Sequence, residues 1–84
     1  MLYIVTFRTS AVKELRKLPT AARKQVSEVI DTLALQPRPH GVKKMAGVDA
    51  WRIRVGDYRV IYSIVDGQLV VEIIKIGNRR EVYR

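Results

Sequence analysis

The apolar positions of the chain follow one period in its first half and another in its second. Ala11, Val12, Leu15 and Leu18 recur at helical spacing while Lys13, Arg16 and Lys17 fall on the opposite side, which predicts an amphipathic helix that Pro19 stops. Ala22, Val26, Val29, Ile30 and Leu33 form a second helical stripe, closed by "QPRPHG". Thr9-Ser10 and Thr20 stand where N-caps are expected. Ahead of both, the β-branched and apolar run "LYIVTF" (Leu2 to Phe7) predicts a strand. Two helices joined by so short a turn predict an antiparallel hairpin lying on one face of a sheet.

The second half reads as strands. "WRIRV", "YRVIYSIV" and "LVVEIIKI" are separated by Gly56-Asp57 and by Asp66-Gly67, the latter a two-residue hairpin signal, so an antiparallel meander is expected. Register through both turns sends Trp51, Ile53, Val55, Tyr58, Val60, Tyr62, Ile64, Leu69, Val71 and Ile73 to the face that receives the helices. Arg52, Arg54, Arg59, Ile61, Ser63, Val65, Val70, Glu72, Ile74 and Ile76 go to the other face. The expected fold is α+β: an N-terminal strand and a helix hairpin on one face of a small, mainly antiparallel sheet. The whole chain, residues 1–84, fits one domain. The stretch "QPRPHGVKKMAGVDA" reads as a loop, long enough to be functional.

Composition narrows the chemistry. The chain has no cysteine and a single histidine, His40, which excludes disulfides, thiolate metal sites, cysteine nucleophiles and a histidine pair. No acidic cluster suggests a Mg²⁺ site, and neither a cofactor nor a metal is expected. No apolar run approaches the roughly 18 residues of a membrane span, and "MLYIVTF" lacks the basic start of a signal peptide, so a cytoplasmic protein is expected. Sixteen Lys and Arg against eight Asp and Glu give a formal charge of +8, which favours a polyanionic partner through counterion release.

That charge has a focus. With a two-residue turn at Gly56-Asp57, Arg54 lies directly across from Arg59, an arrangement that costs stability unless an anion is shared. Glu72, on the same face, can bridge Arg52 or Arg54 in an ordinary surface ion pair, but one carboxylate cannot neutralise three guanidinium groups. Lys43-Lys44 precede the strand, and Arg79-Arg80 follow the last one in the tail "GNRREVYR". Tyr83 in that tail can stack on a base, donate to a phosphate or act as a base; it can equally close a sheet edge. Tyr3, Tyr58, Tyr62 and Trp51 read as packing residues, and His40 as a turn residue.

The order of elements, with "WRIRVGDYRVIY" and "GNRREVY", resembles the RelE/ParE superfamily of toxins from toxin–antitoxin systems over almost the whole chain. The resemblance implies ribosome-dependent cleavage of messenger RNA, the activity of the RelE branch, which the filled tyrosine slot favours; poisoning of DNA gyrase, the activity of the ParE branch, is the alternative. Carried over residue by residue, the catalytic set of the RelE branch falls on Arg52, Arg54, Arg59, Arg79 and Tyr83; the flanking cations Lys43, Lys44 and Arg80 are expected, from their charge and position, to bind RNA. The implied reaction is attack of a ribose 2′-OH on the adjacent phosphate without a metal. Some relatives have lysine on the first strand of the site where this chain has arginine, which leaves Tyr83, or no protein group, as the base. The implied partners are the ribosome with its mRNA and rRNA, and an acidic, partly disordered antitoxin for which Ile61, Val70, Ile74 and Ile76 offer exposed apolar surface. An attenuated toxin that only binds its antitoxin is the remaining alternative.

Overall fold

Strand β1 (Ile4–Phe7) leads into helices α1 (Thr9–Arg16) and α2 (Thr20–Leu33), followed by strands β2 (Lys43–Lys44), β3 (Trp51–Val55), β4 (Tyr58–Val65) and β5 (Val70–Asn78). This computed structural model describes residues 2–78, so Arg79, Arg80 and Tyr83 lie outside the described residues. The sheet order is β1-β5-β4-β3-β2; β1 runs parallel to β5 and every other pair is antiparallel. The expected α+β fold is therefore present, with the meander β3–β4–β5 as its centre.

Neither expected cap forms. Arg8 is the N-cap of α1 and Pro19 that of α2, both without a side-chain bond, so Thr9 and Thr20 are the first helical residues. Tertiary pairing explains the first shift: the Arg8 amide donates to the Ile73 carbonyl at 3.0 Å, which holds Arg8 extended and lets the helix begin at the next residue. At the second, the fixed φ of Pro19 presets the entry, and its carbonyl accepts from the Arg23 amide at 2.8 Å. Helix α1 ends at Arg16, short of Leu18, but Leu18 still packs on the core.

The core lies between the helices and one face of the sheet. Ala11 of α1 and Val26, Ile30 and Leu33 of α2 pack on Val55, Val60, Tyr62, Val71, Ile73 and Ile76. Ile76 departs from the expected alternation because of a bulge: Tyr62 faces Ile73, whereas Ile61 faces Lys75, leaving Ile74 as the extra residue of β5. Beyond it the parity reverses, and Ile76 stands opposite Val60, 1% exposed. Ile61 is also buried, in a small cluster with Ala50, Met45 and Ile74 on the other face, so the exposed apolar surface expected at Ile61 and Ile76 is absent.

The two hairpins differ. Val55 faces Tyr58 across Gly56-Asp57, with positive φ at Gly56 and not at Asp57, the pattern of a II′ turn. Asp66-Gly67, expected to be another two-residue turn, instead opens a four-residue connection: Val65 faces Val70 around a single 3₁₀ turn, Asp66–Gln68, with Leu69 at φ 54. Four residues preserve the parity that two would have given, so the expected faces survive as far as Ile73. No helix among the described residues is long and apolar enough to cross a membrane.

Candidate nucleic-acid interface

Alternation in β3 buries Val55, packs Trp51 and Ile53 against the core and turns Arg52 and Arg54 to the opposite face. The two-residue turn then returns the chain so that Arg59 is the partner of Arg54 in the ladder. Arg59 is 7% exposed, the one polar or charged residue buried among the described residues. Its Nη1 donates to the Tyr58 carbonyl at 3.3 Å, and the residue opposite it in β5 is Gly77, which brings no side chain against it. Arg54 is exposed, its Nε donating to the Gly56 carbonyl at 3.4 Å.

Part of the expected loop is itself a strand. Lys43 pairs with Arg52 and Lys44 with Trp51, and the Met45 amide closes the hairpin on the Ala50 carbonyl at 2.8 Å. This edge strand forms the wall of an open cleft of about 250 Å³ lined by Gly41, Lys43, Arg52, Arg54 and Arg59. Among the described residues, three guanidinium groups and one amine line it, and no carboxylate does. Glu72, considered as a bridge to Arg52 or Arg54, is instead opposite Ser63 and pairs with Arg8 at 3.4 Å.

Lys44 points the other way. Its Nζ lies 5.9 Å from the centre of the Trp51 ring, which also carries the Arg38 guanidinium at 5.2 Å. The structure thus separates two lysines that the sequence reading joined: Lys43 lines the cleft and Lys44 does not. His40 is exposed in the loop and lines nothing in the cleft, in keeping with a turn residue.

The segment leading to Lys43 is held by contacts that the sequence reading did not find. Buried Tyr62 donates its hydroxyl to the Pro37 carbonyl at 2.7 Å, and burial pushes that phenol up to about 12. Arg38 grips Asp66 through both oxygens, at 3.1 and 2.9 Å, while Tyr3 donates to Asp66 at 2.7 Å. The Arg38 and Tyr3 hydrogen bonds hold the Asp66 carboxyl down at about 2. Tyr3, Arg38, Trp51 and Asp66 are far apart in the chain, and no local pattern announces their meeting. Away from the cleft, Lys13, Arg16, Lys17, Arg23 and Lys24 are exposed on the two helices.

These features define a small basic α+β fold whose helix-free face gathers Lys43, Arg52, Arg54 and Arg59 around one cleft. Residues 5–83 match the family model described as the ParE toxin of the type II toxin–antitoxin system parDE. The mRNA interferase toxin RelE of Escherichia coli K12 is 32% identical over 87 residues, covering 99% of this chain and 92% of that protein. The RelE of the archaeal RelE–RelB complex from Pyrococcus horikoshii superposes with a TM-score of 0.84 at 38% identity, covering 94% of this chain and 97% of that one. The isolated E. coli RelE toxin gives 0.80 at 32% identity, covering 96% and 90%. The chain belongs to the RelE/ParE superfamily of type II toxin–antitoxin toxins, in its RelE-like branch.

Proposed function

We propose that this protein is a ribosome-dependent endoribonuclease that cuts messenger RNA and so arrests translation. The observation that carries this reading is the direct opposition of Arg54 and Arg59 in a cleft that Lys43 and Arg52 complete. Like charges in register repel, and the repulsion is relieved when a phosphate lies between them. In the transition state of 2′-OH attack, charge develops on the phosphoryl oxygens, where guanidinium groups already in place stabilise it. Arg79 and Tyr83, which the resemblance adds to the site, complete the proposed catalytic set, with Arg80 as an RNA contact. The exposed helix cations suit contact with RNA phosphates of the ribosome, including rRNA. Cytoplasmic residence follows from that target.

An antitoxin encoded with the toxin completes the proposal. Its support is the RelE–RelB complex of P. horikoshii, and an acidic, partly disordered segment suits the charge of this chain.

The test is brief induction followed by mapping of message 5′ ends, for the wild type and for Arg59→Ala. Cuts at fixed positions within in-frame codons, lost in the variant, are expected. Intact messages with blocked DNA supercoiling would replace the nuclease with a gyrase poison.

A further inference from the structure

Among the described residues, three of the four basic groups lining the cleft are guanidinium groups, and a guanidinium keeps its proton wherever RNA is intact. Such groups bind and stabilise charge, but none of them can take the proton that a 2′-OH must lose. Lys43 carries the one amine among the described lining residues, and an amine can both accept and return a proton.

Its position is built rather than incidental. Lys43 stands directly opposite Arg52 in the β2–β3 ladder, one strand spacing of about 5 Å from the arginine strand. The hairpin that holds it is closed by the Met45–Ala50 hydrogen bond, and the approach to it is tied down at Pro37 by Tyr62 and at Arg38 by Asp66. Gly41, with φ +89, lets the backbone turn into β2 without placing a side chain in the cleft. The neighbouring Lys44 is directed to Trp51, so a single amine faces the three guanidinium groups within the described lining.

We propose that Lys43 is the proton acceptor of the cleavage step; this deepens the ribonuclease reading and rests on it. Lys43, reacting in its deprotonated amine form, takes the proton of the ribose 2′-OH as the 2′-oxygen forms its bond to phosphorus. The bond from phosphorus to the 5′-oxygen breaks, that oxygen leaves with the electron pair and takes a proton from water, and the new ammonium returns its proton to solvent. The products are a 2′,3′-cyclic phosphate and a 5′-OH. Arg54 and Arg59 hold the phosphoryl oxygens throughout, and the ammonium formed at Lys43 adds a fourth positive charge as the negative charge at phosphorus peaks.

Single-turnover cleavage of mRNA on programmed ribosomes tests the assignment, because Lys43→Arg keeps the charge and removes the base. The expected loss is about 100-fold or more for Lys43→Arg, with the thermal melt unchanged. The chain has no cysteine, so Lys43→Cys offers a single thiol for alkylation with 2-bromoethylamine, which restores an amine at that position. Lys43→Cys should be as slow as Lys43→Arg, and alkylation should recover most of the lost rate. Cleavage by Lys43→Arg at close to the wild-type rate, or no recovery on alkylation, overturns Lys43 as the base and leaves the nuclease intact. Failure of the wild type to cut programmed ribosomes overturns the nuclease reading itself, before any variant is compared.

Discussion

Arg54 and Arg59 are cross-strand partners on one face of the β3–β4 hairpin, and Arg59 is all but buried. A sheet gains nothing from that pairing, since like charges directly opposite each other destabilise by a few tenths of a kcal/mol up to about 1. On the proposed reading, a phosphate bound between the two guanidinium groups offsets that repulsion. Inorganic phosphate should raise the melting temperature more than chloride at equal ionic strength, and Arg54→Gln should melt higher than the wild type while losing that response. Calorimetry with both anions reads both effects; equal responses to the two salts would show that no anion is shared.

Lys44 and Arg52 separate charge from position. They are adjacent to the same hairpin, yet only Arg52 lines the cleft. Arg52→Ala should slow cleavage on programmed ribosomes by about 100-fold, the loss typical of one electrostatic stabiliser, whereas Lys44→Ala should leave the rate near that of the wild type. Comparable losses would mean that the basic surface acts only through its total charge.

Ile74 and Ile76 are two residues apart on one strand and should behave differently. Ile76 is fully buried on the helix side of the bulge, so Ile76→Ala should cost about 2–5 kcal/mol. Ile74 is half-buried in the small cluster on the other face and should cost clearly less. Urea unfolding of the two variants measures the difference, and equal costs would place the bulge elsewhere.

Acid should release the tie between the loop and the β4–β5 connection. The Asp66 carboxyl is held down at about 2, chiefly by its hydrogen bond from Arg38 and then by that from Tyr3. A depressed carboxyl contributes its stability in full above its unfolded value near 3.9 and loses it as pH falls towards 2. Asp66→Asn should therefore flatten the dependence of the melting temperature on pH between about 4 and 2. A wild-type slope retained in the variant would assign the acid sensitivity to other carboxylates.

At the alkaline end the responsible group is Tyr62, whose phenol burial raises to about 12. With the folded value above the unfolded one near 10, stability is complete below about pH 10 and falls as pH rises towards 12. Tyr62→Phe should remove most of that fall, at a cost near neutrality of about 1–3 kcal/mol because the Pro37 carbonyl loses its donor. Unfolding followed from pH 8 to 12 would show the two curves converging if the assignment holds, and running parallel if it does not.

Much of the architecture was legible because it rests on short-range rules. The two helical stripes, the alternation of the three long strands and the Gly56-Asp57 turn each express a local period or a local backbone preference. The opposition of Arg54 and Arg59 follows from that turn and from parity alone. The sequence failed where a distant neighbour decided the outcome. Thr9 loses its cap role because Arg8 is bonded to Ile73, Ile76 enters the core because β5 bulges at Ile74, and Lys43 joins a strand because Arg52 offers it a ladder.

What the sequence determined by itself is the set of faces: which side chains point to the helices, which point away, and that the second group gathers arginine around one turn. Only the tertiary structure decided which basic residues share a cleft. Charge along a chain states how much repulsion must be accommodated, whereas strand order, the bulge and the pinned loop determine which charges stand within reach of one phosphate.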